Sequence, residues 1–277
     1  MIKDRLKLVT CVGCLSLAIY ASALYFSAGG RCAIASCKVP FSQTVSLKLP
    51  IPQTSTEKLG FQAQAITVKV MSKEFLGSGI LLQKQESIYT VLTNAHVLRA
   101  DDPPYQIQTP DGEIYTASLP RNTKFGNNDL AILQFRSPKK IYRVASIASK
   151  LMVGDEVFAS GFYSQEDEDK HQFSFTNGKV LLLLPKALDG GYQIGYSNDI
   201  QKGMSGGPLL NCRGEVVGVN GMQANPLWDA PSIFVDGSQA DKELHEQINR
   251  LSWAVPIDRA EFRNQDSEVR SNKLNHI

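Results

Sequence analysis

The chain has 277 residues, of which 43% are hydrophobic and 20% charged, and its formal net charge is +2. This length gives room for one large or two small domains with a sizeable core. The near-balanced charge gives no electrostatic reason to expect nucleic acid as a partner, and the sequence has no internal repeat, low-complexity tract or heptad pattern.

The N-terminal residues have the composition of an export signal. Three basic residues, Lys3, Arg5 and Lys7, precede an uncharged apolar run over residues 8–26, and Ala21-Ser22-Ala23 offers a small-x-small cleavage site. The run is also close to the length that spans a bilayer, so residues 1–30 are either a signal peptide or a membrane anchor. Both alternatives predict an extracytoplasmic protein, periplasmic or secreted.

Residues 31–59 are rich in Ser, Thr, Pro and Lys, and we interpret them as a spacer. Cys32 and Cys37 are close enough to form a small disulfide loop in an oxidising compartment. Cys212 lies in a turn beside a strand, and we expect it to be a small packed residue rather than a nucleophile. Residues 263–277 form a polar tail.

The first half of the folded region contains short strand patterns. Val68 and Val70 follow Ile66 and alternate with Thr67 and Lys69, which is the period of a half-buried strand. Three further strand-length segments follow, at residues 80–82, 89–92 and 131–135.

The pattern starts again after residues 137–140. Strand-length apolar segments lie at residues 157–159, 180–184, 209–210 and 216–219. Short strands separated by Gly, Asn and Asp turns indicate a sandwich or a barrel. A helix is predicted over residues 238–251, where Ser238 and Asp241 resemble a capping box and Leu244, Ile248 and Leu251 share one face.

One segment, residues 199–208, places Ser205 between glycines. Glycine permits backbone conformations that a Cβ atom would forbid, so the segment can form a sharp turn that presents a hydroxyl. It resembles the nucleophile loop of the chymotrypsin-like serine proteases. Its flanks are most similar to those of the HtrA/Deg branch and other bacterial trypsin-like peptidases.

Two further segments carry the same resemblance. Residues 93–97, Thr-Asn-Ala-His-Val, resemble the family's T-A-A/G-H motif around the general base, His96. Residues 129–133, Asp-Leu-Ala-Ile-Leu, match its D-I/L-A-L/V-L/I motif, which carries the triad acid, Asp129. The chain order His96, Asp129, Ser205 is that of chymotrypsin rather than of subtilisin or the α/β-hydrolases.

The resemblance implies an all-β fold of two six-stranded antiparallel barrels over residues 60–262, divided at about residue 142, with one helix near the C-terminus. It also implies a serine endopeptidase acting on protein or peptide substrates without a cofactor. Ser205 would attack, His96 would accept its proton, and Asp129 would orient the imidazole. The backbone N–H groups of Gly203 and Ser205 would form the oxyanion hole.

Two departures from the digestive enzymes bear on activation. Met204 replaces the Asp that those enzymes pair with a newly cut N-terminal amine, and no Ile-Val-Gly-Gly activation site is present. We therefore predict no zymogen cleavage of that kind. HtrA-like enzymes usually carry a PDZ domain, whereas only a short tail follows here, so we do not expect activation by peptides through such a domain.

The resemblance also suggests substrate-binding residues. Asp199 lies six residues before Ser205, where trypsin-like enzymes place the carboxylate that pairs with Arg or Lys of the substrate. The alternative is a solvated turn residue. By resemblance, Asn220, Gly221 and Met222 pair with the substrate backbone and line the pocket. The residues between Met222 and Arg250 form an insertion whose helix is expected to cap the site.

Other functions compete with this interpretation. One is a protease-like binding or chaperone-type module that retains the triad in a closed site. A zinc hydrolase is disfavoured because the histidines lack ligand spacing (His96, His171, His245, His276), and we expect no metal. The acidic residues 165–169 either bind a cation such as calcium or form a solvated hairpin tip.

Overall fold

The computed structural model describes residues 55–121, 125–164, 171–225 and 232–260. Their strands form two closed six-stranded antiparallel barrels, which confirms the predicted all-β fold. The expectations for the leader, for Cys32 and Cys37, for the acidic residues 165–169 and for the tail lie outside the described residues. The described helices include none that is long and apolar enough to cross a membrane.

The first barrel pairs its strands in the order β1-β2-β3-β6-β5-β4, and β4 closes it against β1. On β1, Val68 and Val70 are fully buried and Lys69 is half-buried, as the alternating pattern predicted. Thr67, which the pattern placed on the polar face, is also fully buried, and its hydroxyl donates to the carbonyl oxygen of Ala63 (2.7 Å). The strands are β1 (Thr67–Met71), β2 (Phe75–Gln85), β3 (Ile88–Thr93), β4 (Tyr105–Gln108), β5 (Ile114–Ser118) and β6 (Ala131–Arg136).

The second barrel follows a connection over residues 137–155. Its strand order is β10-β11-β12-β9-β8-β7, and β7 closes it against β10. The strands are β7 (Glu156–Ser164), β8 (His171–Leu183), β9 (Ile194–Tyr196), β10 (Pro208–Asn211), β11 (Val216–Met222) and β12 (Ser252–Pro256). A 3-10 turn, Ile257–Arg259, follows β12.

The C-terminal helix α3 (Lys242–Asn249) begins later than the predicted residue 238. Asp241 is its N-cap, and the Asp241 side chain accepts a hydrogen bond from the backbone N–H of Leu244 (2.9 Å). Ile248 is buried, and its carbonyl oxygen accepts a hydrogen bond from the indole N–H of Trp253 (2.9 Å). Helix α3 therefore packs through Ile248 into the main apolar cluster, beside Trp253 of β12.

Helix α1 (Ser55–Ile66) was not predicted. It begins within the residues interpreted as a spacer. It ends at Ile66, so Ile66 belongs to this helix and not to the strand predicted from the alternating pattern. Leu59, Ala63 and Ile66 are buried at a helical spacing. The strands β4, β5 and β9 were also missed, because they are short and β4 and β5 alternate with few apolar residues.

The two barrels share one apolar core. Ile80 and Leu92 from the first barrel cluster with Phe158, Leu210 and Val219 from the second. This cluster fixes the seam between the barrels, and the three sequence motifs all lie along that seam.

Candidate active site

The candidate base, His96, lies on the one-turn helix α2 (Ala95–Leu98), directly after β3. The side-chain amide of Asn94 donates to the backbone carbonyl oxygen of Asp129 (2.8 Å). The N–H of Asp129 donates in turn to the carbonyl oxygen of Gly190 in the second barrel (2.8 Å). These hydrogen bonds hold the Asp129 loop beside α2 and against the second barrel, while the His96 side chain stays 38% exposed.

Asp129 and His96 are joined by two short hydrogen bonds. The carboxylate, 9% exposed, accepts hydrogen bonds from the His96 ring Nδ1 (2.5 Å) and from the His96 backbone N–H (2.8 Å). Burial raises the pKa of Asp129, but the hydrogen bond and charge of His96 and a hydrogen bond from Tyr192 outweigh it, so the pKa lies below its ordinary value. An ionised carboxylate only accepts hydrogen bonds, so Nδ1 carries a proton, and in a neutral imidazole Nε2 is then the nitrogen that can accept one.

Two further groups that contact Asp129 were not predicted from the sequence. The hydroxyl of Tyr192 donates to Asp129 Oδ2 (2.5 Å), and the exposed guanidinium of Arg99 lies 3.5 Å from Oδ1. Tyr192 is far from Asp129 in sequence and belongs to the other barrel. No local pattern could have linked the two residues.

Ser205 lies in a turn that requires glycine. Gly206 has a φ of +84°, and a Cβ atom there would lie 2.1 Å from the carbonyl oxygen of Ser78. The N–H of Gly206 donates to the carbonyl oxygen of Asn220 (2.8 Å). In the described residues, the Ser205 hydroxyl donates to the carbonyl oxygen of Gly221 (3.3 Å) and forms no hydrogen bond with His96.

Ser78, fully buried on β2, holds the nucleophile loop against the first barrel. Its hydroxyl donates to the carbonyl oxygen of Gly203 (2.7 Å) and accepts from the N–H of Phe162 (2.8 Å). Its own N–H donates to the carbonyl oxygen of Ser205 (2.8 Å). One small polar side chain therefore joins β2, β7 and the nucleophile loop.

The expected oxyanion donors are available in this arrangement. Gly203 is buried with a φ of +99°, a conformation that favours glycine. Within the described part of the chain, neither the N–H of Gly203 nor that of Ser205 donates to a protein acceptor. Such unpaired donors beside a hydroxyl can bind a developing negative charge.

The candidate substrate-binding residues lie in different environments. Asn220 is fully buried, its side chain bonds to Ser160 and Pro208 carbonyls (3.1 Å each), and its N–H donates to the carbonyl oxygen of Gly207. These contacts hold the nucleophile loop from inside the barrel. Gly221 and Met222 are half-buried at the end of β11.

Asp199 and Met204 both precede Ser205 in the nucleophile loop, but Asp199 is exposed and Met204 is buried. Asp199 is exposed, and in the described residues it forms no hydrogen bond or ion pair. Met204 is fully buried in an apolar cluster of barrel two with Ile200 and Leu209. Apolar packing thus stands where the digestive enzymes have an ion pair.

The remaining predicted features lie away from this constellation. Cys212 packs, half-buried, against the main core. His245 lies in α3 and bonds to Ser232 (2.9 Å) and Asn249 (3.0 Å). Across residues 55–121, 125–164, 171–225 and 232–260, no group of three or more His, Cys, Asp or Glu side chains is placed to hold a metal ion.

Known protein families and individual proteins resemble this chain in sequence. A family model described as a trypsin-like peptidase domain matches residues 77–219, which include His96, Asp129 and Ser205. A periplasmic pH-dependent serine endoprotease, DegQ of Escherichia coli, is 34% identical over 184 residues, or 63% of this chain and 37% of DegQ. The serine endoprotease DegS of Haemophilus influenzae is 28% identical over 189 residues, or 66% of this chain and 47% of DegS.

The fold also has a counterpart among solved structures. A serine endoprotease from Yersinia pestis superposes with a TM-score of 0.52 at 21% identity, covering 76% of this chain and 65% of that one. This similarity supports the fold alone. The chain spans less than half the length of DegQ and of DegS.

Proposed function

The chain belongs to the family of trypsin-like peptidase domains, and on that premise we propose that it is a serine endopeptidase with Ser205 as nucleophile, His96 as general base and Asp129 as the orienting acid. The observation that carries the proposal is the buried Asp129 carboxylate bound twice by His96, at 2.5 Å and 2.8 Å, across the seam from the Ser205 turn. The resemblance to HtrA/Deg proteases agrees with it.

The chemistry follows from these positions. The hydrogen bond from Ser205 to Gly221 is long at 3.3 Å, so little is lost when the hydroxyl rotates towards His96 Nε2. As Oγ bonds to the substrate carbonyl carbon, Nε2 takes its proton and Asp129 stabilises the imidazolium. The N–H groups of Gly203 and Ser205 bind the oxyanion.

The same groups complete the reaction. His96 returns the proton to the leaving amine as the C–N bond breaks, which leaves an ester on Ser205. His96 then deprotonates a water molecule that hydrolyses the ester, and the proton returns to the Ser205 oxygen. The cycle consumes one water molecule and requires no cofactor.

A closed protease-like binding or chaperone-type module is the second candidate. It is favoured by the position of the Ser205 hydroxyl, which bonds to Gly221 and not to His96. A fluorophosphonate probe separates the two candidates. We expect wild-type protein, but not Ser205→Ala, to be labelled and to cleave an unfolded protein substrate. Wild-type protein that is folded yet neither labelled nor active would favour the closed module.

The primary specificity is a separate question. An exposed carboxylate gains little from pairing with a substrate cation, because water screens the charge, and the exposure of Asp199 therefore favours the solvated-turn alternative over a preference for Arg or Lys. We expect a peptide library to be cut without a basic preference, and Asp199→Asn to leave the profile unchanged. Cleavage mainly after Arg or Lys, lost in Asp199→Asn, would establish the pairing instead.

We place the enzyme outside the cytoplasm, where it would act on protein or peptide substrates. The basic and apolar composition of residues 1–30 supports this location, as does the similarity to DegQ, whose name describes it as periplasmic. The same residues would attach the protein to a membrane if they are retained. Mass spectrometry of the mature N-terminus distinguishes a removed leader from an anchor.

A further inference from the structure

Tyr192 is held in the site by the turn that carries it. It follows Gly190 and Gly191, whose φ values are +77° and +83°, in the connection between β8 and β9. A hydrogen bond from the N–H of Leu188 to the carbonyl oxygen of Tyr192 (2.9 Å) closes this turn. The N–H of Asp189 donates to the carbonyl oxygen of Ile233, which lies in the insertion (2.8 Å). The insertion therefore braces the turn that carries Tyr192.

The Tyr192 side chain contacts both halves of the active site. Only 5% exposed, it donates its hydroxyl hydrogen bond to Asp129 Oδ2, the same oxygen that binds His96 Nδ1. The hydroxyl also lies directly against Gly221, because a Cβ atom at that glycine would be 2.4 Å from the phenol oxygen. The carbonyl oxygen of Gly221 in turn accepts the hydrogen bond of the Ser205 hydroxyl.

From these contacts we infer that Tyr192 is a positioning residue of the triad: its hydroxyl fixes Asp129 Oδ2 and moderates the negative charge that this oxygen presents to His96. The inference rests on the proposed function. Two donors on one carboxylate oxygen share its charge, so the hydrogen bond from Tyr192 weakens the attraction between the carboxylate and the imidazolium. Burial raises the pKa of the Tyr192 phenol, as does the charge of Asp129, and Tyr192 thus remains a neutral donor.

In the part of the chain that the structure describes, few other charged or titratable groups lie around Asp129 and Tyr192. In the described residues, Asp129 faces His96, Tyr192 and the guanidinium of Arg99, which lies 3.5 Å away and is 69% exposed. Tyr192 also lies near Tyr196, a buried neutral phenol that bonds to Asn220 (2.9 Å). Removal of the Tyr192 hydroxyl therefore leaves His96 as the main partner of Oδ2 and strengthens their attraction.

The test is Tyr192→Phe, which keeps the ring and removes only the hydroxyl. The acid limb of kcat/KM reports the protonation of the catalytic base in the free enzyme. We expect it to move to higher pH by about half a unit or more, with kcat lowered and KM little changed. The downfield NMR signal of the His96 Nδ1 proton should shift as well.

The matched control is Tyr142→Phe. Tyr142 also donates a phenol hydrogen bond to an aspartate, Asp111 (3.4 Å), but in a network away from the triad. We expect that variant to keep the wild-type pH profile and NMR signal. If Tyr192→Phe only loses thermal stability and keeps the acid limb and the His96 signal, the positioning role is wrong.

Two further outcomes keep the inferences separate. If wild-type protein is neither labelled by a fluorophosphonate nor active, the proposed function fails, whereas the His96 titration in wild type and Tyr192→Phe still decides the role of Tyr192. If Tyr192→Phe does not fold, site-specific replacement of Tyr192 by 3-fluorotyrosine supplies a stronger donor. The acid limb or the His96 titration should then move to lower pH, and no movement would overturn the inference.

Discussion

The two halves of the candidate active site are held by different forces. In the first barrel, one buried carboxylate, Asp129, accepts short hydrogen bonds from His96 (2.5 Å and 2.8 Å) and from Tyr192 of the second barrel (2.5 Å). In the second barrel, the Ser205 loop is held by the buried side chain of Met204 and by hydrogen bonds from the hydroxyl and the backbone N–H of Ser78. The first arrangement is ionic and polar, and the second depends on close packing.

This difference determines which changes each half tolerates. The acid-base half depends on the charge of one residue, so an isosteric change at Asp129 disables it without altering its shape. The nucleophile half depends on contacts that leave no room for a Cβ atom, so one added methyl group displaces it. The two halves meet at Ser205, whose hydroxyl bonds to the carbonyl oxygen of Gly221 and must turn to His96 in the proposed reaction.

The largest effect is expected from Asp129→Asn, which breaks the polar half. The amide cannot hold the Nδ1–H tautomer of His96, and kcat should fall by about 10⁴-fold. Steady-state kinetics on a peptide substrate measure the loss. The matched control is the exposed Asp258→Asn, which should be as active as wild type. A loss of less than tenfold in Asp129→Asn would mean that the acid acts elsewhere.

Ser78→Ala should have the next largest effect, in the packed half. It removes the hydroxyl bound to the Gly203 carbonyl (2.7 Å) and leaves the Phe162 N–H without its acceptor. The oxyanion donor at Gly203 then loses its fixed orientation, and kcat should fall by about 10- to 100-fold with KM little changed, less than the loss of a donor itself.

Binding of a peptide aldehyde should weaken in parallel in Ser78→Ala. Ser137→Ala is the comparison, since Ser137 is also a buried serine that bonds to a carbonyl, that of Lys140 (3.0 Å), outside the site. Equal kinetic losses in the two variants would contradict a specific role for Ser78.

Gly161→Ala tests the close packing directly. A Cβ atom there would lie 2.7 Å from Cα of Met204, so β7 or the nucleophile loop must move. We expect the free energy of unfolding to fall by about 1–3 kcal/mol, together with activity. Gly60→Ala in α1 is the control, because its Cβ atom would make an ordinary 3.6 Å contact with Phe175. That variant should gain about 0.5–1 kcal/mol.

The smallest effect concerns acid stability. Because the pKa of Asp129 is lowered in the folded state, the unfolded chain binds more protons and stability falls as the pH decreases. This contribution is present above the ordinary pKa of about 3.9 and is lost as the pH falls through the lower folded-state value. Thermal unfolding between about pH 5 and pH 2 should therefore show a shallower decline in Asp129→Asn than in wild type. Parallel curves would refute the linkage.

Much of this architecture was visible in local sequence patterns. Alternation on β1 and the apolar segments of β2, β3 and β6 predicted strands that are observed, and residues 93–97, 129–133 and 199–208 located the candidate triad. Helix α1 was missed because its composition is that of a spacer, although Leu59, Ala63 and Ile66 have a helical spacing. The predicted start of α3 was wrong by three to four residues, because Asp241 and not Ser238 supplies the cap.

The sequence by itself determined the fold class and the three residue types of the candidate triad, because strand periodicity and motif chemistry are local properties of the chain. Tertiary structure alone decided that Tyr192 binds Asp129, that Ser78 holds Gly203 and that Asn220 faces the barrel interior. Each of these contacts joins residues from separate strands or barrels. Their geometry is set by how the barrels pack along their shared core, and no short stretch of sequence records that packing.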